Sequence, residues 1–231
     1  MNKSLFELLK QCDTPTVCNA IEVAQGKRGF ANFTRQTMLY AANGQEVMVG
    51  FAKTAKIAAV EPPSESQDVI KARRMDYYRY MAGVDGPCLA VIEDLDFPNC
   101  IGAYWGEVNT TIHKGFGVHG AVTNSVMRDL GDMASDFPVL AASIGPSHGF
   151  VHVRDIDCVV DICGMTVSPG DLIHADQHGA VVVPKVIIGE LESAIQTLLR
   201  NEKIVIEPAR QEDFDFDKFE TSWAEFEKAR T

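Results

Sequence analysis

Apolar and polar positions along the chain change between helical and strand-like spacing, with no internal repeat. Over residues 66–81 apolar side chains recur at helical spacing, whereas residues 88–92 are apolar without interruption, as in a buried strand. The same criteria predict helices over residues 5–12, 66–81, 107–114 and 186–199, one that begins at Asp13-Thr14-Pro15, and a last one that ends at 229. They predict strands over 48–52, 54–60, 88–92, 121–124, 137–141, 172–175 and 180–183, a hairpin joining 156–162 to 165–167, and a break at 83–87.

This order of elements determines the expected fold class. Because hairpins and helices are interspersed, the pattern favours an α+β domain with β/β/α layers over a doubly wound α/β sheet. We expect mixed sheets flanked by helices in a single domain over residues 1–200. Residues 201–231 are expected to form a helical C-terminal tail.

The predicted tail helix carries a stripe of aromatic residues. Phe216, Phe219, Trp223 and Phe226 follow one another at spacings of three and four residues. Such a stripe packs either on the chain's own core or across a subunit interface, and the sequence favours neither.

Composition narrows the function classes. The 231 residues carry a net charge of −11, which argues against binding to nucleic acid or to an anionic membrane surface. A charged residue interrupts the short apolar stretch at the N-terminus, unlike a signal peptide, and no apolar run is long enough to span a membrane. The six cysteines are scattered without a C-x-x-C pair, so free thiols in a cytoplasmic protein are expected.

The glycine-rich segment at 115–120 imitates a nucleotide-binding motif. Gly115, Gly117 and Gly120 match G-x-G-x-x-G, which in a dinucleotide-binding unit follows a strand and opens a helix. Here the glycines follow a predicted helix and lead into a strand, so no pyrophosphate would meet a helix N-terminus. We interpret them as the end of a helix and a turn, which disfavours dinucleotide-dependent or S-adenosylmethionine-dependent chemistry.

A stronger candidate site brackets that loop. Glu107 opens the predicted helix, and Arg128-Asp129 follows the next strand, with 20 residues between Glu107 and Arg128. A helix, a turn and a strand of this length can bring both points together. Arg128 would then bind a carboxylate and a neighbouring carbonyl oxygen beside a helix N-terminus, and Asp129 offers a hard oxygen ligand for a divalent metal.

The segment from Gly106-Glu107 to Arg128-Asp129 resembles the G-[DE]-x20-R-D signature of the RraA-like superfamily. This superfamily contains metal-dependent 4-hydroxy-4-methyl-2-oxoglutarate aldolases, which also decarboxylate oxaloacetate, and the regulator of ribonuclease activity A. Further segments follow the family's motifs in the family's order, at residues 13–20, 49–55, 137–139, 167–173 and 175–181. The resemblance covers roughly residues 13–200 and implies a β/β/α fold of the swivelling-domain type.

The resemblance also implies roles for individual residues. Arg128 would polarise the substrate's keto oxygen, Asp129 would anchor the metal, and Glu107 would help to hold a water that shuttles a proton. The implied catalytic residues are thus Arg128 and Glu107, and the implied substrate-binding residues are Gly106, Val108, Asn109 and Arg128. The family usually has leucines where Val108 and Asn109 stand, so we expect a more polar pocket wall. The family often has Asp-Gly ahead of x-V-R-D, where this chain has residues 124–127, Asn-Ser-Val-Met.

The implied activity is that of a class II pyruvate aldolase or oxaloacetate decarboxylase. With Mg²⁺ or Mn²⁺, such an enzyme cleaves a carbon–carbon bond of a small anionic 2-keto acid and releases pyruvate through an enolate. The family forms trimers, sometimes doubled to hexamers, in which a neighbouring subunit supplies a further acidic residue. Glu202 and Glu207 are the candidates for that residue in this chain.

The sequence is compatible with more than one function and more than one substrate. The alternative function is a non-catalytic regulatory binding protein like the ribonuclease regulator, whose branch has glycine where Glu107 stands. Three histidines near the predicted site, His113, His119 and His148, are candidates for contact with the distal half of the substrate, and the physiological substrate is not identified.

Overall fold

The computed structural model describes residues 3–42, 46–83 and 85–230. Outside this description lie Val84, which falls in the predicted break, and Met1, Asn2 and Thr231, which fall at the ends of the predicted domain (1–200) and tail (201–231). The helices are α1 Lys3–Leu9, α2 Thr14–Gln25, α3 Gln67–Ala82, α4 Glu107–Gly115, α5 Ile188–Ala209, which follows a 3₁₀ turn at Lys185–Ile187, and α6 Phe216–Arg230. The strands are β1 Leu39–Ala41, β2 Met48–Ala58, β3 Cys88–Asp94, β4 Ala103–Trp105, β5 Val118–Met127, β6 Val139–Ile144, β7 His152–Ile156, β8 Val160–Ile162, β9 Met165–Val167, β10 Leu172–Asp176 and β11 Gly179–Val183.

The sequence signal for the start of α2 is confirmed. Asp13 caps α2, because its carboxylate accepts a hydrogen bond of 2.8 Å from the amide of Thr16, and Pro15 stands in the first turn. Helix α5 extends ten residues beyond the predicted end at 199 and contains Pro208 in its last turn. The glycine segment is a helix end and turn, as predicted, because the amide of Gly117 donates to Lys114 O and its φ is +85°.

One long strand replaces two predicted short ones. Residues 48–58 form a single strand, β2, although Lys53 places a charge at its centre. The Lys53 ammonium is accommodated because it donates to the backbone carbonyl of Tyr80 at 2.6 Å and lies 4.5 Å from the centre of the Tyr80 ring. The predicted hairpin is also shorter, since β8 pairs with β9 while the preceding strand β7 joins β2.

The large sheet is mixed, as predicted. Its strands run in the order β1-β6-β5-β3-β2-β10-β11, with β4 added beside β5 and β7 beside β2. The pairs β2–β3, β3–β5, β4–β5 and β5–β6 are parallel, whereas β1, β7, β10 and β11 pair antiparallel with their neighbours. The fold class is therefore α+β, and the candidate site lies where parallel strands end.

Both faces of the central strands are buried, which explains the uninterrupted apolar run in β3. Leu89 and Val91 pack against the β8–β9 hairpin on one side, and Ala90 and Ile92 pack towards α3 on the other. A third cluster joins α1, α2 and α5 to β10 and β11. These clusters of buried side chains hold the predicted β/β/α layers together.

Helix α6 lies against α5, and the aromatic stripe runs along its surface. The rings of Phe216, Phe219, Trp223 and Phe226 follow one another at centroid distances of 5.6–5.9 Å. Phe216 is 71% exposed and Trp223 is 40% exposed, so the stripe does not enter the core of the domain. Across the described ranges, no helix is long and apolar enough to cross a membrane.

Candidate active site

Strand pairing brings the two halves of the site together. Strands β4 and β5 are parallel neighbours with Trp105 opposite Met127, so the residues that follow, Gly106 and Arg128, emerge side by side at the same edge. A hydrogen bond of 2.8 Å from the amide of Arg128 to the carbonyl of Trp105 fixes this arrangement. The 21 residues between Gly106 and Arg128 form α4, a short turn and β5, and they return the chain to that edge.

Gly106 permits a close approach between the two segments. A Cβ atom at this position would overlap Asp129 Oδ2 and lie 3.0 Å from Arg128 Cγ. The φ of Gly106 is −157°, so the absence of a side chain, and not an unusual backbone conformation, is what this position requires. The residue at 106 therefore controls how closely α4 approaches Arg128 and Asp129.

Asp129 connects Arg128 to the N-terminus of α4. Its Oδ2 accepts a hydrogen bond of 3.2 Å from the amide of Glu107 and lies 3.5 Å from Arg128 Nε. Its backbone has a φ of +55°, a conformation that Asp and Asn adopt more readily than other non-glycine residues. The carboxylate thus caps the helix and faces the guanidinium at once.

The Arg128 guanidinium is held in place but is not saturated. About a third of the side chain is exposed (32%), and Nε is buried without a hydrogen-bond partner. Within the described ranges, its two terminal nitrogens also donate to no protein acceptor. Because a guanidinium presents donors in a planar fork, Arg128 can bind two oxygens of one ligand.

Two further donors lie at the same edge. The amides of Val108 and Asn109 belong to the first turn of α4, and no described residue accepts a hydrogen bond from either. Free amides at a helix N-terminus attract anions. Together with Arg128, they form a site suited to a small anion that carries several oxygens.

This combination of fold and site agrees with comparisons to known proteins. The RraA-like family, described as Aldolase/RraA, matches residues 14–182. The chain belongs to the RraA-like family. A relative from Halalkalibacterium halodurans, whose name proposes that it is a 4-hydroxy-4-methyl-2-oxoglutarate aldolase, is 27% identical over 200 residues, which cover 85% of this chain and 84% of that protein.

Other relatives share less of their length with this RraA-like chain. An uncharacterised protein of Methanocaldococcus jannaschii is 33% identical over 107 residues, which are 46% of this chain and 51% of that protein. The DlpA protein of Legionella pneumophila is 31% identical over 35% of this chain, which corresponds to 14% of its own length. The chain therefore matches about half of the first of these relatives and a small part of the second.

Solved structures confirm the RraA-like fold. An uncharacterised protein from Pseudomonas syringae superposes with a TM-score of 0.70 and 21% identity, covering 100% of this chain and 94% of that one. Streptomyces coelicolor RraAS2, described as an unusual member of the RNase ES inhibitor RraA family, gives a TM-score of 0.66 at 19% identity, with 91% and 98% of the two chains covered. At these identities the likeness concerns the fold alone.

The structure corrects two expectations about residues near the RraA-like site. The polar atoms of the half-buried Asn109 side chain are used within the protein and do not supply the expected polar groups of a pocket wall: its Nδ2 donates to Tyr104 O at 2.7 Å and its Oδ1 accepts from the Tyr78 hydroxyl at 2.9 Å. The side chain of His113, in the last turn of α4, is completely buried, so it cannot contact the distal half of a substrate. Both residues face the protein interior because they occupy the inner side of the helix.

The remaining candidates lie in separate places. His119 is exposed near the start of β5, and exposed His148 makes its ring hydrogen bond with the carbonyl of the adjacent Gly149 at 2.7 Å. Glu202 and Glu207 both lie on α5, where Glu202 is half-buried and Glu207 exposed. Within the described ranges, no hydrogen bond or ion pair joins any of these four side chains to Arg128.

The protein donors at this edge suit a divalent metal only in part. Groups of three or more His, Cys, Asp or Glu side chains at metal-binding distance do not occur in the part of the chain that the structure describes. Asp129 is 36% exposed at its side chain, and only its Oδ2 is engaged by neighbouring residues in the described ranges. One carboxylate with water and substrate oxygens suits Mg²⁺, which keeps several waters when it binds to proteins, so Asp129 fits the role but cannot complete a site alone.

Thr110 is a residue of the site that sequence reasoning did not identify. Its buried hydroxyl donates to the carbonyl of Gly106 at 2.9 Å and accepts from the amide of Ala134 at 3.0 Å. It thereby ties the first turn of α4 to the loop that follows Asp129. A threonine within a polar helical stretch carries no signal for this role, because its partner lies 24 residues away.

Proposed function

We propose that this RraA-like protein is a divalent-metal-dependent carbon–carbon lyase that acts on a small anionic 2-keto acid and releases pyruvate. Candidate substrates are 4-hydroxy-4-methyl-2-oxoglutarate and oxaloacetate. The observation that carries the proposal is the unsaturated Arg128 guanidinium, with Nε buried and without a hydrogen bond, beside the free amides of α4. The aldolase name of the relative from H. halodurans supports the same class of reaction.

The proposed binding mode follows from the donors present. The amides of Val108 and Asn109 receive the carboxylate of the 2-keto acid, where the helix N-terminus stabilises negative charge. Arg128 donates to the keto oxygen, which gains negative charge as the adjacent bond breaks. Fixed donors at both positions hold a pyruvate unit flat against this edge of the sheet.

The proposed reaction breaks the bond between C3 and C4 of the substrate. The electron pair of that bond moves into the keto group, which gives the enolate of pyruvate. In the retro-aldol case the C4 hydroxyl passes its proton to the water beside Glu107, and C4 becomes a carbonyl. Oxaloacetate loses carbon dioxide and leaves the same enolate, so one site serves both reactions. Glu107, exposed at the start of α4, holds the water that then delivers a proton to C3.

The proposed metal ligand is Asp129, with Mg²⁺ or Mn²⁺ as the ion. When bound, such an ion withdraws electron density from the oxygens of the 2-keto acid and stabilises developing negative charge. The protein's own contribution is to hold the Asp129 carboxylate beside Arg128, through the Glu107 amide and the unusual backbone conformation at Asp129.

The proposed assembly is a homotrimer or homohexamer in which a neighbouring copy completes the site. Because Asp129 supplies one carboxylate, a further acidic group would have to come from elsewhere, and Glu202 or Glu207 on α5 is the candidate. The exposed rings of Phe216 and Trp223 on α6 support contact between copies. A mass measurement in solution that gave only monomers would exclude this assembly.

Replacement of Gly106 by alanine tests the geometry of the site. The added Cβ would overlap Asp129 Oδ2 and press on Arg128 Cγ, so both side chains must move. We expect kcat/KM for pyruvate release to fall by about 100-fold, the effect of a displacement near 1 Å. Gly115→Ala is the matched control, because it lies in the same helix and an added Cβ meets nothing within 4 Å; equal losses in the two variants would contradict the assignment.

The proposed function is tested by a substrate panel. Purified protein with Mg²⁺ or Mn²⁺ should release pyruvate from at least one 4-carbon or 4-hydroxy 2-keto diacid, and EDTA should stop the release. A blank with the same metal and no protein is essential for oxaloacetate, which loses carbon dioxide by itself. Absence of pyruvate from the whole panel would favour the alternative, a non-catalytic regulatory binding protein.

A further inference from the structure

His113 lies on the inner side of α4, the helix that carries the proposed carboxylate-binding amides. The side chain is completely buried, and its ring contacts Trp105 at a centroid distance of 4.8 Å and Tyr77 at 5.6 Å. A buried histidine costs folding free energy unless both ring nitrogens find partners. The proposed reaction assigns no role to His113, so the burial of this histidine needs another explanation.

The partners of His113 fix its protonation state and tautomer. Nδ1 lies 2.6 Å from the carbonyl oxygen of Asn109, which can only accept, so Nδ1 carries the proton. Nε2 therefore accepts from the Tyr77 hydroxyl at 2.7 Å. Burial lowers the pKa of His113 to about 4, which keeps the ring neutral near pH 7 and compatible with this direction of donation.

Asn109 is held at three points by three elements. His113 donates to its carbonyl from within α4, the Tyr78 hydroxyl donates to its Oδ1 from α3, and its Nδ2 donates to Tyr104 O in β4. The next residue of β4, Trp105, accepts the amide of Arg128. Arg128 and Asn109 are therefore hydrogen-bonded to adjacent residues of the same strand, β4.

We propose that His113 and Tyr78 are positioning residues, which lock Asn109 so that its free amide and the Arg128 guanidinium converge on one carboxylate-bearing ligand. The inference rests on the proposed function for the identity of that ligand, a 2-keto acid. It does not rest on the proposed function for the existence of the lock. Neither side chain touches the substrate: His113 is inside the protein and the Tyr78 hydroxyl is occupied by Asn109.

The physical need for such a lock lies in the position of Asn109. First-turn residues of a helix lack amide partners within the helix, and helix ends fray. Asparagine is a weak helix former, because its side chain competes for nearby backbone groups. Here the Asn109 side chain is hydrogen-bonded to Tyr78 and Tyr104, so it does not compete for the backbone of its own helix. It instead anchors the N-terminal end of α4 to α3 and β4.

The test compares four variants by two measurements. His113→Leu removes the donor to Asn109, His113→Asn keeps a donor near the Nδ1 position, and Tyr78→Phe removes only the hydroxyl. His174→Leu is the matched control, since His174 is also fully buried and hydrogen-bonded at both ring nitrogens, to Leu9 and Thr14, on another side of the domain. The measurements are the Kd for oxalate with Mg²⁺, a planar dianion shaped like the pyruvate enolate, and hydrogen exchange of residues 106–113.

We expect His113→Leu and Tyr78→Phe to weaken oxalate binding by about tenfold, the loss of one well-placed hydrogen bond. We also expect both variants to accelerate exchange over residues 106–113. His113→Asn should restore most of the affinity, and His174→Leu should lower the melting temperature while leaving oxalate binding and exchange in this segment unchanged.

Two results would overturn the inference. Unchanged exchange over residues 106–113 in folded His113→Leu would show that the histidine does not hold the helix end. An equal loss of oxalate affinity in His174→Leu would assign the effect to general destabilisation. If wild-type protein fails to bind oxalate at all, the proposed function fails, and the exchange measurement alone decides whether the lock exists.

Discussion

Replacement of Arg128 by alanine is expected to lower kcat for pyruvate release by about 1,000-fold without unfolding the protein. Removal of one fixed donor from a site of developing negative charge costs about 100-fold to 1,000-fold, and Arg128 also orients the substrate. The fold should survive, because the side chain is a third exposed and its anchoring hydrogen bond to Trp105 uses the backbone amide. Steady-state kinetics and circular dichroism on the same preparation measure both effects.

Two companion variants make this prediction specific. Arg128→Lys retains the charge but loses the planar fork, so it should recover only a small part of the activity. Arg28→Ala, in the exposed turn that follows α2, removes an arginine from another part of the surface and should leave kcat unchanged. Turnover by Arg128→Ala within about threefold of wild type would remove Arg128 from its proposed role, since that ratio corresponds to less than about 1 kcal/mol.

Replacement of Asp129 by asparagine is expected to raise the Mg²⁺ concentration required for half-maximal activity by at least about tenfold, because a neutral oxygen is a weaker ligand for a hard cation than a carboxylate. The local fold should persist, since asparagine also adopts a φ near +55° and its Oδ1 can still accept from the Glu107 amide. Activity titrated with Mg²⁺ at a fixed substrate concentration gives the required value.

Asp136→Asn provides the matched control for Asp129→Asn. Asp136 lies in the loop that follows Asp129, has the same φ of +55°, and pairs with Lys114 at the surface. Its replacement changes the net charge by the same amount and should leave the metal requirement unaltered. An unchanged requirement in Asp129→Asn, or an equal shift in both variants, would place the ion elsewhere.

Much of the fold could be predicted because local patterns agree with the tertiary structure. The capping signal at Asp13 and the apolar run in β3 both correspond to contacts that short segments determine by themselves. Lys53 shows where local patterns fail. Its charge makes the sequence look like two short strands, but the ammonium is hydrogen-bonded to Tyr80 on α3, 27 residues away, so β2 continues through it. Strand β4 escaped prediction because three residues, two of them aromatic, are too few to show a period.

The candidate site also has some features that the sequence predicts and others that depend on distant contacts. The pairing of Glu107 with Arg128-Asp129 follows from spacing and resemblance, and the parallel pair β4–β5 explains it. The interior role of His113 could not be predicted, because its partners come from α3 and β4 as well as its own helix. A lone polar residue in a helix gives no sign of whether it faces solvent or a buried acceptor.

The proposed function is tested most directly by the time course of pyruvate release from 4-hydroxy-4-methyl-2-oxoglutarate, with saturating Mg²⁺, for wild-type protein and Arg128→Ala purified in parallel. We expect steady release by the wild type, none above the metal blank for the variant, and arrest of the wild type by EDTA. Release at the same rate by both proteins, or by neither in any 2-keto diacid tested, would contradict the proposed function.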